Sequence, residues 1–218
     1  MPNQKFKILL VDDHPLVREW LASLINQQPD LVVCGEAGSA QEALGYLGAE
    51  SPDLAIVDLS LKEGSGLELI KTIKAVHPAV AVIVLSMHDE KHYAERAIRA
   101  GARGYVMKRE TTKKIIAAIN QVRSGKLGVS EEVAALFAER FVDNHPRSGT
   151  PVEELSDREL EVFRLLGQGL DTRSVATNLH ISIKTVQAYC ARIKDKLNLA
   201  NATELLREAV RWSESGVY

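Results

Sequence analysis

The sequence predicts an α/β chain: a five-stranded, doubly wound parallel sheet followed by a small all-α domain. Three observations predict it. Up to about residue 125, short aliphatic runs alternate with longer segments of helical period. The runs are continuously apolar, as strands covered on both faces require. Beyond about residue 150, capped helical segments follow one another with no strand signal.

In chain order, the strand runs are FKILLV (6–11), DLVVCGE (30–36), DLAIVDL (53–59), AVIVLS (81–86) and GYVMK (104–108). Between the first two, Leu16, Trp20, Leu21, Leu24 and Ile25 repeat as one face of a helix. Leu67, Ile70, Ile73 and Val76 make a second stripe, with Lys74 as its polar exception. Ile115, Ile116, Ile119 and Val122 make a third. EEVAALFAERFV (131–142) reads as a connecting helix, and HPRSGTP (145–151) as loop or linker. In LSDRELEVFRLLGQG, Ser156 and Glu159 have capping-box spacing, and Gly167 or Gly169 can end the helix. TRSVATNLHIS reads as a short helix and a turn. Ser182 caps SIKTVQAYCARIKDKL, and Asn201 caps NATELLREAVRW. The predicted division is a domain over 1–125, a connecting helix and linker over 126–150, and a second domain over 151–218.

Composition narrows the classes. Of 218 residues, 45% are hydrophobic and 26% charged, which argues against disorder. Basic and acidic residues nearly balance at net −2, so any nucleic-acid reading must rest on local residues. Two cysteines, Cys34 and Cys190, exclude a disulfide scaffold and fit free thiols in a reducing cytosol. The opening MPNQKFKILLVDD has an apolar run too short for a signal peptide or membrane span. The expectation is a cytoplasmic protein with no membrane attachment.

The chemistry concentrates at strand ends. Strand one ends in Asp12 and Asp13, strand three in Asp58, strand four in Ser86, and strand five runs into Lys108. A parallel sheet brings all of these to one edge. Three converging carboxylates repel one another unless a cation sits among them, and hard oxygen donors suit Mg²⁺. A hydroxyl and an ammonium facing the same point can bind phosphoryl oxygens. Such a set can move a phosphoryl group onto a carboxylate. A single Asp at a strand end is often only a turn residue; the agreement of five positions carries the reading.

VDDHP, VDL at Asp58, LSM at Ser86 and GARGYVMK resemble the receiver domain of bacterial response regulators. LSDRELEVFRLLGQG, VATNLHISIKTVQAY and KDKLNL resemble the LuxR-type helix-turn-helix. Their order resembles the NarL/FixJ class of two-component transcription regulators over nearly the whole chain. The resemblance implies that Asp58 accepts a phosphoryl group from a sensor histidine kinase. It implies that Asp12, Asp13, Asp58 and the backbone carbonyl of Ser60 hold Mg²⁺, and that Lys108 pairs with the phosphoryl group. It makes Ser86 and Tyr105 a switch pair, the hydroxyl moving toward the phosphate and the ring turning inward behind it. A homodimer on activation and promoter DNA are the further partners it implies. One departure lies after Asp58, where Leu61-Lys62 replaces the Met-Pro pair of many relatives.

On the helix capped by Ser182, Val186, Tyr189, Cys190, Ile193 and Leu197 form an apolar stripe. Lys184, Thr185, Gln187, Ala188, Ala191, Arg192 and Lys194 remain nearer the open face, as in a helix that enters a major groove. Arg173, on the preceding helix, is placed to touch phosphate. From Pro151 onward the chain has nine Lys/Arg and ten Asp/Glu, yet residues 182–197 carry net +3. Gln187, Ala188 and Ala191 match the base-facing positions of resembling proteins. Glutamine suits adenine and alanine the thymine methyl, so A·T-leaning half-sites are expected. Relatives commonly carry Lys at Gln187, His at Tyr189 and a basic residue near Ala202. Gln187, Ala191, Ala202 and the near-neutral charge support a second reading: a receiver-controlled protein-interaction adaptor with lost or weakened DNA binding.

Other motifs carry less. His88 and His92 have i, i+4 spacing but neither an HExxH pattern nor a third ligand, so they read as a solvated helix start. GSG at 64–66 reads as a flexible turn. A phosphohydrolase would want a carboxylate two residues after Asp58, where Ser60 stands, so the chain reads as no enzyme beyond phosphorylation of its own Asp58. Cys190 reads as a packing residue.

Overall fold

The structure is a computed structural model that describes residues 5–62, 65–142 and 151–215. It divides into two compact units, Met1–Asp143 and Asn144–Tyr218. The sequence-predicted linker 145–150 lies outside the described residues.

The first unit alternates strand and helix throughout. Its elements are β1 (Phe6–Val11), α1 (Pro15–Asn26), β2 (Leu31–Ala37), α2 (Ala40–Ala49), β3 (Leu54–Val57), α3 (Gly66–Val76), β4 (Ala81–Ser86), α4 (Glu90–Ala100), β5 (Gly104–Met107), α5 (Thr112–Arg123) and α6 (Glu131–Val142). The strands form one parallel sheet in the order β2-β1-β3-β4-β5. Because side chains alternate along a strand, each strand feeds two cores. Ile8, Leu10, Leu54, Ile56, Ile83 and Leu85 pack with Leu21, Ile25, Ile115 and Ile119, under α1 and α5. Leu9, Val11, Ala55, Val57, Val82 and Val84 alternate with these and are equally buried, on the face left to α2, α3 and α4.

Two of the three helical stripes differ in detail from the pattern. Leu16 and Trp20 are 78% and 40% exposed on α1, while Leu21 and Ile25 are buried. Val76 also faces solvent at the end of α3. A stripe read at i, i+4 and i+5 is wider than the contact with the sheet, so its outer members stay uncovered. Helices α2 and α4 are visible mainly in the fold: α2 carries two glycines, and α4 buries mostly alanines (Ala94, Ala97, Ala100) beside Tyr93. At the β2 edge the register skips Cys34, a bulge held by the Tyr46 hydroxyl donating to the Cys34 carbonyl.

The second unit is helical: a 3₁₀ turn (Pro151–Glu154), α7 (Asp157–Gly167), α8 (Thr172–Asn178), α9 (Ile183–Leu197) and α10 (Ala202–Ser215). The predicted caps form. Ser156 and Glu159 make a reciprocal capping box, Ser182 Oγ accepts from the Thr185 amide, and Asn201 Oδ1 accepts from the Glu204 amide. Gly167 is the last residue of α7, and Gly169 follows with φ +85°. Between α8 and α9 the turn passes through His180 at φ +53°, a left-handed conformation unusual for a residue with a Cβ. Phe163, Val175, Val186, Ile193, Leu205 and Ala209 form the buried centre.

Candidate functional site

Strand register assembles the site. Val11 pairs with Val57, so the next residues on β1 and β3 are Asp12 and Asp58. Ser86 closes β4 opposite Met107, and the Lys108 amide donates to the Ser86 carbonyl at 2.8 Å. Lys108 Nζ therefore reaches back over the strand ends. It lies 2.7 Å from Asp58 Oδ2 and 2.7 Å from Asp12 Oδ2. Both carboxylates are almost wholly buried. Burial pushes the Asp58 carboxyl above its ordinary value; the Lys108 ammonium opposes the shift and the Asp12 charge adds to it. Partial burial works against the Lys108 ammonium, but the two carboxylates outweigh it and raise its pKa.

Asp13 supplies the third carboxylate. Its side chain is 6% exposed, and Oδ1 has no hydrogen-bond partner among the described residues. His14 Nδ1 stands 2.9 Å away without the alignment of a hydrogen bond, and Lys62 Nζ is 3.9 Å from Oδ2. Asp12, Asp13, His14 and Asp58 each offer a ligand atom, all within 4.8 Å of one another. A buried carboxylate oxygen that accepts no hydrogen bond, in an oxygen-rich set, fits a hard divalent cation. His14 of VDDHP stands just before α1 in extended conformation, with Nδ1 3.2 Å from Asp12 Oδ1 and 2.9 Å from Asp13 Oδ1.

The switch residues meet at His88. Ser86 is fully buried, and its Oγ accepts from the His88 amide at 3.2 Å. Tyr105 is 1% exposed, its ring turned inward, its hydroxyl donating to the His88 carbonyl at 2.9 Å. Burial pushes the phenol well above its ordinary pKa, a shift the Ser86 hydroxyl only partly offsets. His88 is half-buried and precedes α4, so the expectation of a solvated helix start is corrected for it. Its ring stacks on Tyr93 with centroids 4.6 Å apart, and Nε2 lies 2.7 Å from Ser60 Oγ. Ser60 also donates its amide to Asp58 Oδ1 at 3.3 Å.

Gly66, expected in a flexible turn, is instead the buried first residue of α3 (Gly64 lies outside the described residues). Its amide donates to the Leu59 carbonyl, and a β-carbon there would fall inside contact distance of the Asp58 carbonyl oxygen. The glycine lets α3 start directly against the phosphoacceptor candidate.

In the second unit α9 presents the predicted open face. Lys184, Gln187, Ala188, Ala191 and Arg192 are exposed, while Thr185 and Lys194 are half-buried. Thr185 is partly engaged in the cap, its hydroxyl 2.8 Å from Ser182 Oγ. The Arg192 guanidinium lies 5.8 Å from the Tyr189 ring centre, and Arg173 is exposed on α8. Val186 and Ile193 are buried; Tyr189, Cys190 and Leu197 are half-buried beside them. Burial raises the Cys190 thiol pKa, in keeping with a packing role. Lys196 is tied to Glu159 at 2.7 Å and to the Glu154 carbonyl at 3.2 Å, so part of the helix's positive charge is neutralised within the unit. No described helix is long and apolar enough to cross a membrane.

Comparison with known proteins agrees with both halves. Residues 8–120 match the response regulator receiver domain, and residues 153–209 match the bacterial regulatory proteins of the luxR family. The chain is 32% identical over 211 residues to the oxygen regulatory protein NreC of Staphylococcus epidermidis, covering 94% of this chain and 97% of that one. It is 35% identical over 200 residues to the transcriptional regulatory protein UhpA of Escherichia coli K12, covering 92% and 95%. Among solved structures, RcsB of Salmonella typhimurium matches with a TM-score of 0.71 at 26% identity, covering 95% and 98%. RcsB of Salmonella enterica serovar Typhimurium bound to promoter P1flhDC with a phosphomimetic matches with a TM-score of 0.68 at 25% identity, covering 95% and 100%. The chain belongs to the NarL/FixJ-class response regulators of two-component systems, transcription regulators that join a receiver domain to a LuxR-type DNA-binding helix-turn-helix.

Proposed function

We propose that Asp58 is the phosphoacceptor of this response regulator, and that its phosphorylation by a sensor histidine kinase controls dimerisation and promoter binding in the cytoplasm. The observation that carries this is the Lys108 ammonium held between the buried carboxylates of Asp12 and Asp58. In the transfer, an Asp58 oxygen attacks the phosphorus of the kinase phosphohistidine. The P–N bond breaks, its electron pair stays on the imidazole nitrogen, and an acyl phosphate forms on Asp58. Lys108 then turns from the carboxylate to the new phosphoryl oxygens. Asp12, Asp13, Asp58 and the carbonyl of Ser60 would hold Mg²⁺, which when bound offsets the charge of the transferring group.

Ser86, the last residue of β4, contributes a hydroxyl bonded to the His88 amide, and on this reading it turns to the phosphoryl oxygens. Tyr105 closes behind it. Phosphorylation adds charge and acceptor oxygens, so it biases which arrangement of that loop prevails. The functional division is the receiver over 1–125, the connecting segment over 126–150 and the DNA-binding domain over 151–218. In that domain α9 enters the major groove. Gln187, Ala188 and Ala191 face base edges, with Lys184, Thr185 and Lys194 beside them, and Arg173 and Arg192 contact phosphate. The promoter-bound RcsB structures support this over the adaptor reading.

Incubation with Mg²⁺ and a small acyl-phosphate donor, followed by intact mass, tests the proposal. The wild type is expected to gain one phosphoryl group and Asp58→Asn none. An adduct of equal yield on the Asn variant would overturn the assignment.

A further inference from the structure

The segment after α5 stays on the first unit. It runs along the edge of β5, where the Gly128 amide donates to the Arg103 carbonyl at 2.8 Å. The Tyr105 amide in turn donates to the Gly128 carbonyl at 2.9 Å, one rung of parallel pairing between Gly104 and Gly128. Glycine at both positions allows the approach. A β-carbon on Gly104 would lie 2.8 Å from the Gly128 oxygen, and one on Gly128 would lie 2.9 Å from the Ala118 oxygen. Arg103 adds a guanidinium bond to the Gly125 carbonyl at 2.9 Å.

Ser130 then starts α6. Its Oγ accepts from the Val133 amide at 3.2 Å, and its carbonyl accepts from the Ala134 amide at 3.0 Å. The same hydroxyl donates to Glu90 Oε1 at 2.8 Å. Glu90 is the first residue of α4 and is 8% exposed; Val133 is 1% exposed. The connecting helix is thus fastened by its first turn to the first turn of α4.

These anchors share residues with the switch. Tyr105 holds Gly128 through its amide and His88 through its hydroxyl. The His88 loop leads directly into Glu90. An inward Tyr105 and a docked α6 occur together in this structure. Were the ring to turn outward, Tyr105 would lose the His88 carbonyl, and the loop that positions Glu90 against Ser130 would lose a tether.

We propose that the α4–β5 edge of the receiver is a docking surface for the chain's own segment 126–142, and that phosphorylation of Asp58 tightens this docking through Tyr105, His88 and Glu90. The proposal rests on the reading of Asp58 as phosphoacceptor and of Ser86 and Tyr105 as its switch. It makes the connecting helix the element through which the receiver's state reaches the DNA-binding domain. Coupling is reciprocal, so whatever weakens the docked segment also weakens the phosphorylated state.

Hydrogen exchange on the full chain, with and without beryllofluoride and Mg²⁺, tests it. In the wild type, beryllofluoride is expected to slow exchange of the α6 amides along with those of the Asp58 loop and the start of α4. Ser130→Ala should speed α6 exchange about fivefold without beryllofluoride, the scale of one lost hydrogen bond. It should also abolish the added protection and weaken beryllofluoride binding several-fold. Ser130→Asp keeps a cap for α6 but sets a like charge against Glu90, so it should behave as Ser130→Ala does. Wild-type exchange in Ser130→Asp would reduce Ser130 to a helix cap and overturn the coupling. An Asp58 loop that responds to beryllofluoride while α6 does not would overturn the docking proposal and leave the phosphoacceptor reading standing. No response at the Asp58 loop would overturn that reading, and the proposal with it.

Discussion

At the level of single residues, the site depends on groups whose roles come from their neighbours. Gly66 is the sharpest case. Any β-carbon at this position runs into the Asp58 carbonyl and the Leu59 backbone, atoms that cannot rotate away. Gly66→Ala must therefore shift the start of α3 or the end of β3. The expected cost is about 1–3 kcal/mol, the usual range for forced overpacking, read as a lower urea midpoint. Phosphoryl uptake from a small acyl-phosphate donor should fall in parallel, because the displaced backbone carries Asp58. An unaltered midpoint together with unaltered uptake would show that the close approach has no consequence. Asp13 illustrates the opposite situation: its Oδ1 accepts no hydrogen bond among the described residues, which is costly for a buried carboxylate oxygen.

At the level of elements, the N-terminus of α7 combines a local signal with a distant partner. The capping box of Ser156 and Glu159 was legible from spacing alone. The bond from Lys196 to Glu159 spans 37 residues and was not. Burial alone would raise the Glu159 carboxyl, but bonds from Lys196 and from Ser156 outweigh it and hold its pKa below the ordinary value of 4.5. A depressed folded value means that the stabilisation is complete above the ordinary glutamate range. It is lost as pH falls through the folded value. Unfolding of the second unit, followed by the near-ultraviolet signal of Trp212, should therefore weaken as the solution is acidified below about pH 4.5. Glu159→Gln should be less stable at pH 7 and should flatten that acid dependence. An equally steep decline in the Gln variant would assign the acid sensitivity to other carboxylates.

At the level of the whole molecule, the proposed function makes regulation act through pairing, because one DNA-binding unit offers few cations. The second unit is close to neutral overall, and Lys196 is already tied to Glu159. Counterion release supplies much of the affinity for DNA, so a lone unit should bind weakly. Two units on paired half-sites gain by effective concentration. Sedimentation of the phosphorylated chain should show a dimer, and its affinity for a two-half-site duplex should exceed that for a single half-site by orders of magnitude, about 10²–10⁴-fold for well-matched pairs. Equal affinity for both duplexes would remove pairing from the account. Site selection on the same protein separates reading from anchoring. Gln187→Ala should relax preference at one base, costing about 1–3 kcal/mol for a good bidentate pair. Arg192→Ala should weaken all sequences alike and lower the salt slope by about one unit. Unchanged base preference in the Gln187 variant, or G·C-rich half-sites, would refute the A·T-leaning readout.

The amino-acid sequence by itself determined the alternation of strand and helix, the parallel sheet, the caps of α7, α9 and α10, and the convergence of Asp12, Asp58, Ser86 and Lys108. These follow from side-chain periodicity and from local hydrogen bonding, which act within a few residues. Once five apolar strands are parallel, the position of every strand end is set by register. Tertiary structure alone decided that Tyr105 lies inward on His88, that Ser60 meets His88 across 28 residues, that Gly66 must lack a β-carbon, and that Ser130 fastens α6 to Glu90. Helix α2 belongs with these, since its alanines and glycines give little hydrophobic period, whereas α4 repeats small alanines beside Tyr93, a weaker signal than large aliphatics. Such contacts join residues far apart in the chain through one or two atoms each. No periodicity announces them, and only the packed backbone brings the partners within reach.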